Sequence, residues 1–276
     1  MCHHCVIETV KADMLNRRSF FKGGIAAAAG AALAATAAPS RPAFAHEGAL
    51  KAEDLTHELY DTFPTYFGEQ QLFFDKKNDF AKHGFNLYEI RVSEHTGTHI
   101  DAPLHFSADG KSVAELPVED LVAPLVVIDI AARAAENPDA QVTPDDIKAW
   151  VSAHGEIPAG AVVAMHSGWG QHLTTDKFRN VGDDGKTMHF PGFHLEAAQF
   201  LLENTTAKAI AVDTLSLDYG ASPDFIVHRT WLPTGRYGIE GVANLDKVPA
   251  SGATIVVGAP KHRGGTGGPA RIIALI

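Results

Sequence analysis

Between His95 and Phe106 the chain reads His-Thr-Gly-Thr-His-Ile-Asp-Ala-Pro-Leu-His-Phe. Three histidines and an aspartate, His95, His99, Asp101 and His105, fall within this short stretch. Imidazole nitrogens and carboxylate oxygens are the donors that borderline divalent metals such as Zn²⁺ or Mn²⁺ accept. Gly97 and Pro103 interrupt the segment, so one regular helix cannot run through it. The expectation is a strand end or loop that bends to aim several side chains at one point. A His-rich surface turn is the plain alternative, and the density of ligand-type side chains speaks against it.

Elements that could position this cluster are legible on both sides. Tyr88, Ile90 and Val92 alternate with polar residues, which predicts a strand running toward His95. Leu125 to Ile130 is a continuous apolar run and predicts a buried strand. Thr143-Pro144-Asp145-Asp146 has the composition of a helix start, with Ile147, Trp150 and Val151 facing inward. Ala161 to His166, Ala209 to Asp213, Thr254 to Val257 and Ile272 to Leu275 predict further strands. His194 to Asn204 predicts a helix, with Leu195, Ala198, Leu201 and Leu202 at helical spacing. The alternation defines an α/β chain, a single domain with a mixed central β-sheet flanked by helices. Gln171 to Gly192 is polar and loop-like, either a lid or rim or a plain solvated excursion. Gly264 to Gly268 lacks both the P-loop lysine and the dinucleotide spacing, so it reads as a turn. Ser167 does not sit in a nucleophile elbow, because Met165 stands where that motif wants glycine.

Not all 276 residues belong to the fold. Asn16-Arg17-Arg18-Ser19-Phe20-Phe21-Lys22 is a twin-arginine pattern, followed by an Ala-rich apolar stretch and a small-x-small site at Ala43-Phe44-Ala45. The reading is a signal peptide over residues 1–45 and a domain over 46–276, with periplasmic localisation. The apolar stretch is short for a membrane span, so no stable membrane insertion is expected after cleavage. The mature part carries 18 basic and 31 acidic residues, a net charge of −13. Such a surface disfavours nucleic acid as a partner. Both cysteines, Cys2 and Cys5, precede the cut, so disulfide and thiol chemistry are excluded from the mature domain. Cys2-His3-His4-Cys5 has the look of half a zinc clip without a second half.

Taken with later motifs, the His95–Phe106 segment resembles the hallmark of the cyclase-like metal-dependent hydrolases, a family that includes kynurenine formamidases and isatin hydrolases. Ser167-Gly168-Trp169, Phe190-Pro191-Gly192, Val212 to Ser216, His228, Ile239-Glu240-Gly241, Asn244-Leu245 and Gly268 to Arg271 match in order. The resemblance spans about Leu55 to Ile276. It implies a fold of the swivelling β/β/α type. It also implies that His95 and His99 bind one divalent ion, with Asp101 sharing that ion or bridging to a second. His228 and Glu240, twelve residues apart, are implied to complete the site. The cofactor expectation is Zn²⁺, or alternatively Mn²⁺, with one or two ions per subunit. His105 is implied as the proton shuttle, with metal ligation as its alternative role.

The implied function is hydrolysis of a C–N bond in a small aromatic amide or cyclic amide. A ring-forming or ring-opening cyclase or dehydratase is one alternative, and a non-catalytic exported binding protein is another. Where formamidases place Trp-Pro-Gly-Asp, this chain has Tyr66-Phe67-Gly68-Glu69. Tyr66 and Phe67 are expected to stack on a substrate ring, with Trp169 as a further wall. The missing Trp-Pro argues against formylkynurenine as substrate. A small-molecule substrate and a homo-oligomer, dimer or tetramer, complete the expectation. His166 is a candidate pocket residue or a structural histidine. His57, His83, His154 and His172 are expected at the surface. Asp213 and Arg271 are read as structural, with Arg271 available to pair with a buried carboxylate.

Overall fold

The computed structural model describes residues 51–276. The twin-arginine stretch, the Cys2–Cys5 cluster and the expected cut lie outside the described residues. In chain order the strands are β1 (Ala52–Asp54), β2 (Leu72–Asn78), β3 (Leu87–Val92), β4 (His99–Asp101), β5 (Val122–Asp129), β6 (Gln141–Val142) and β7 (Val162–His166). There follow β8 (Gly192–Phe193), β9 (Ala209–Val212), β10 (Tyr237–Glu240), β11 (Ala253–Gly258), β12 (Gly267–Pro269) and β13 (Arg271–Leu275). The α-helices are α1 (Phe80–His83), α2 (Ala131–Glu136), α3 (Pro144–His154), α4 (Leu195–Asn204) and α5 (Ile226–Trp231).

Nine strands form one mixed sheet in the order β1-β13-β11-β5-β7-β9-β10-β4-β12. The central strands β5, β7, β9 and β10 are parallel, and the flanking pairs are antiparallel. Parallel neighbours need crossover connections, which the helices supply. Helix α3 starts on a capping box: Thr143 Oγ1 accepts from the Asp146 amide, and the Asp146 carboxylate accepts from the Thr143 amide at 2.8 Å. Such a cap is worth about 1 kcal/mol.

Each face of the sheet has its own core. One face packs Trp150, Leu201 and Trp231 from the helices onto Val126, Val163 and Ile210. On the other face Leu125, Ala164, Ile239, Ile255 and Ile272 come from strands spread across the sheet, and no α-helix contributes. Strand side chains can fill that core together only if the sheet curls over itself. The domain is therefore a half-barrel backed by helices. Among the described residues no helix is long and apolar enough to cross a membrane.

Several local expectations change. The strand ending at Val92 exists, but it pairs only with β2, outside the main sheet. Gly267-Gly268-Pro269 is not a turn: it is the edge strand β12 and pairs with β4. A Cβ on Gly267 would lie 2.2 Å from the Ile100 carbonyl oxygen, so only glycine permits this approach. The loop from Gln171 to Gly192 is no solvated excursion, because Phe178, Met188 and Phe190 bury with Trp169 in a satellite core. Arg271 pairs with Asp54, and both side chains are exposed rather than buried.

Candidate metal centre

The period of a strand explains the hallmark spacing. In β4, His99 and Asp101 point to one side while Ile100 points into the core. A single 3-10 turn, Pro103–Phe106, then returns His105 toward the same point. Antiparallel pairing sets Glu240, at the end of β10, directly opposite His99. Gly241 follows with φ +62°, and a Cβ there would lie 2.7 Å from the Gly97 oxygen. His228 arrives on the short helix α5. The Asp218 carboxylate anchors that helix, accepting from the Val227 amide at 2.8 Å and the His228 amide at 3.2 Å.

The structure gathers His95, His99 and Asp101 into one potential metal-holding group and Asp101, His228 and Glu240 into another. Asp101 belongs to both. Its Oδ1 lies 2.6 Å from His95 Nδ1 and 3.3 Å from His99 Nε2, while Oδ2 lies 3.6 Å from His228 Nε2. Glu240 straddles the groups in the same way, with Oε2 3.3 Å from His99 Nε2 and Oε1 3.0 Å from His228 Nε2.

Each imidazole has its other nitrogen committed. His99 Nδ1 donates to the Gly97 carbonyl at 2.9 Å. His228 Nδ1 donates to Asp218 at 2.6 Å. His95 Nε2 donates to Thr266 Oγ1 at 2.9 Å, and that hydroxyl donates to Glu94 at 2.5 Å. The nitrogens left facing inward are His95 Nδ1, His99 Nε2 and His228 Nε2. Such outer partners fix ring orientation and tautomer at metal sites. Thr266→Val removes the acceptor for His95. Metal affinity is expected to fall about 10–100-fold by chelator competition; unchanged affinity would refute the orienting role.

Buried charge makes the cluster a cation receptor. Burial alone would pull the His99 pKa down, but Asp101 and Glu240 outweigh it and push it up to about 10. His228 is likewise raised against its burial by Asp101, Asp218 and Glu240. Burial opposes the Asp101 charge, yet His99, His228 and His95 hold its carboxyl well below the usual range. Without metal, protons on the imidazoles balance the carboxylates. His99 Nε2 and Asp101 Oδ2 are nevertheless buried without a hydrogen-bond partner. Orphaned buried polar atoms of this kind are costly, and a divalent cation among three imidazoles and two carboxylates satisfies them. Metal uptake must displace protons. Calorimetric Zn²⁺ titration in buffers of different ionisation enthalpy is expected to show net proton release. Apparent affinity should rise with pH toward the His99 value of about 10. A pH-independent affinity would contradict this picture.

His105 stands apart. Its ring stacks on His95, with centroids 3.8 Å apart, and it lines a cavity of about 250 Å³ with His95, His99, His228 and Glu240. Burial, with His95 and His228 adding to it, drives its pKa down to about 4 against the pull of Asp101 and Glu240. The ring is a neutral base at pH 7. The remaining wall is aromatic: Tyr66, Phe67, Phe106 and Phe225 line the cavity. Trp169 does not. It is buried beside Tyr66, and its indole donates to the Phe178 carbonyl at 2.9 Å. The loop carrying Phe178 also supplies Arg179, which donates to the Tyr66 carbonyl at 3.1 Å. Trp169 thus supports a wall it does not form.

Sequence reasoning gave no role to Asp218, Thr266, Glu94, Phe106 or Phe225. Phe106 closes the hallmark itself. Asp218 lies ten residues before His228, and only the turn of the loop reveals its function. His166 lines a different cavity, with His57 and Asp213. His57 is half-buried rather than at the surface, and burial lowers its pKa. Asp213 is structural, its carboxylate accepting from Ser167 Oγ at 2.5 Å and the Ser167 amide at 2.9 Å.

A paired His/carboxylate receptor beside a free imidazole defines a metal-dependent amide hydrolase, and comparison with known proteins supplies its family. The family model described as "Putative cyclase" matches residues 53–219. The chain belongs to this cyclase family. It is similar to the isatin hydrolase of Roseibium aggregatum, 36% identical over 195 residues, covering 67% of this chain and 73% of that one. The kynurenine formamidase of Salinibacter ruber is 28% identical over 191 residues, covering 68% of this chain and 79% of that one. The solved structure of isatin hydrolase A from Labrenzia aggregata, bound to benzyl benzoate, superposes with a TM-score of 0.77. It is 35% identical and covers 82% of this chain and 94% of that one.

Proposed function

We propose that this enzyme opens the ring amide of a small, uncharged aromatic lactam of the isatin type. The observation that carries the reading is the composition of the cavity wall. Four aromatic rings line it, and among the described lining residues there is no lysine or arginine. A flat bicyclic ring fits such walls. Formylkynurenine carries an amino-acid carboxylate, which calls for a cationic partner. Water adds to the amide carbonyl, the C–N bond breaks, the nitrogen takes up a proton and a carboxylate is left. A divalent cation held by His95, His99, Asp101, His228 and Glu240 would supply Lewis acidity toward water and the carbonyl. His105, neutral and facing the cavity, takes the proton from water and returns it to the leaving nitrogen. Tyr66 and Phe67 hold the ring. Turnover of isatin with a kcat/KM well above that for formylkynurenine, by purified metal-loaded enzyme, is the expected result. No turnover of isatin would overturn the reading.

Two ions per subunit, rather than one, is the count we propose, supported by the way Asp101 and Glu240 each face both histidine groups. Elemental analysis of natively matured protein should give about two equivalents of Zn²⁺ or Mn²⁺, and one equivalent or less would count against it. The same reading places the curled sheet and its helix layer in the swivelling β/β/α class. Residues 1–45 are proposed to direct periplasmic export. Arg17→Lys with Arg18→Lys should retain the chain in the cytoplasm on cell fractionation.

A further inference from the structure

The hallmark segment places two threonines, Thr96 and Thr98, between its first two histidines, and neither belongs to a potential metal-holding group. Both are buried. Thr98 has a structural task. Its hydroxyl donates to the Gly241 carbonyl at 2.5 Å and accepts from the His57 amide at 2.9 Å. Thr96 makes a different bond: its hydroxyl donates to Oε1 of Gln71, 25 residues away in sequence, at 2.8 Å. Gln71 lines the substrate cavity together with His95, His105 and Glu240. Its backbone is held as well, the carbonyl accepting from the Ser93 amide at 3.1 Å.

The Thr96 bond decides which end of the Gln71 amide is free. A buried hydroxyl proton needs an acceptor, and the acceptor Thr96 has is this side-chain oxygen. The oxygen therefore turns to Thr96 and the amide nitrogen, with its two donors, turns away. Among the described residues nothing accepts from that nitrogen, and it is not one of the buried unpartnered atoms. It stands open on a side chain that lines the cavity. An uncharged donor of this kind suits a neutral oxygen, whereas a carboxylate is matched by arginine or lysine.

We propose that the Gln71 amide reads a second carbonyl oxygen beside the scissile amide, so that the enzyme selects lactams with a vicinal ketone, and that Thr96 positions it. This rests on the lactam reading above. With the scissile carbonyl facing the His/carboxylate cluster, the ketone oxygen is left among aromatic rings, where an unpartnered carbonyl is costly. Gln71 is tied through Thr96 to the residue next to His95, which keeps its donor on the metal side of the cavity. Gln71 is thus a specificity-determining residue, and Thr96 is a positioning residue that acts through it.

Calorimetric binding to the metal-loaded full chain, carrying His105→Ala to stop turnover, tests the assignment. The probes are isatin and 2-indolinone, the same lactam with a methylene in place of the ketone. Gln71→Leu with Thr96→Val removes the donor and leaves no orphaned hydroxyl behind. It is expected to weaken isatin about 10–100-fold and to leave 2-indolinone within about twofold. Thr96→Val alone lets the amide turn over and should cost isatin about 3–10-fold. Thr96→Ser keeps the hydroxyl and should restore the affinity. A merely structural role would weaken both probes alike. Equal losses for the two probes, unchanged isatin affinity in the double variant, or no preference for isatin with Gln71 in place overturns the proposal. Should the double variant not fold by circular dichroism, Thr96→Val and Thr96→Ser decide by the same comparison. Absence of isatin turnover by the wild type would sink the lactam-opening reading alone, because a Gln71-dependent preference in binding is measured without turnover.

Discussion

Replacing His105 with alanine is expected to lower kcat by about 10²–10⁴-fold, the range for loss of a positioned acid–base group, while metal content stays unchanged. Three observations separate this ring from the ligands. It belongs to neither potential metal-holding group. It lies against His95 face to face, with ring centroids 3.8 Å apart and planes within 20°. Its pKa is driven down to about 4 by burial and by its histidine neighbours. The sign matters. A depressed imidazole pKa means the neutral form prevails at pH 7, ready to accept a proton, and a cation nearby pushes in the same direction. Stacking also bears on stability: alanine removes one partner of a partly exposed pair, so only a small loss is expected. Single-turnover kinetics with parallel elemental analysis checks the prediction. An alanine variant with wild-type kcat and full metal would remove His105 from the mechanism. One that loses metal would make it a ligand.

Asp101→Asn is expected to abolish both metal binding and turnover, the largest effect of any single substitution at the site. Asp101 is fully buried and contacts His95, His99 and His228. Asparagine keeps the volume and removes the charge that both groups share. Leaving buried charge uncompensated costs about 3–5 kcal/mol, so the metal-free variant should also unfold at lower urea concentration at pH 7. The pH dependence follows from His99, whose pKa of about 10 is raised above the unfolded value. The stabilisation carried by its proton is fully present below the unfolded pKa and is lost as pH rises through about 10. The destabilisation by Asp101→Asn is therefore expected to shrink as pH approaches 10. Urea curves on chelator-treated protein at pH 7 and pH 10 test this. Retention of full metal content by Asp101→Asn would show that the carboxylate is not shared.

Much of the fold is legible because its signals are local. The Thr143 cap, the apolar run of β5 and the helical spacing of α4 each depend on residues within one or two turns. The density of ligand-type side chains between His95 and His105 is local too, but the strand β4, whose alternation puts His99 and Asp101 on one face, is seen only in the structure. His228 and Glu240 are different. Their separation in sequence carries no geometric information, and they were placed at the site by family resemblance. In the structure they arrive through the β10–β4 register and through Asp218 holding α5. Trp169 shows a further limit. Its motif matches the family, yet a buried aromatic looks the same in sequence whether it faces a substrate or the residue behind it.

Residue type and short-range spacing thus marked His95, His99, Asp101 and His105 as a donor cluster, while His228, Glu240 and the catalytic class came from family resemblance. Such a cluster is legible because it depends on side-chain chemistry over a few residues. Which carboxylates face both histidine groups, which aromatic rings wall the cavity and which glycines become the β12 edge were decided only by tertiary structure. Each depends on pairing register and on packing between residues far apart in the chain, where no local pattern specifies the partner.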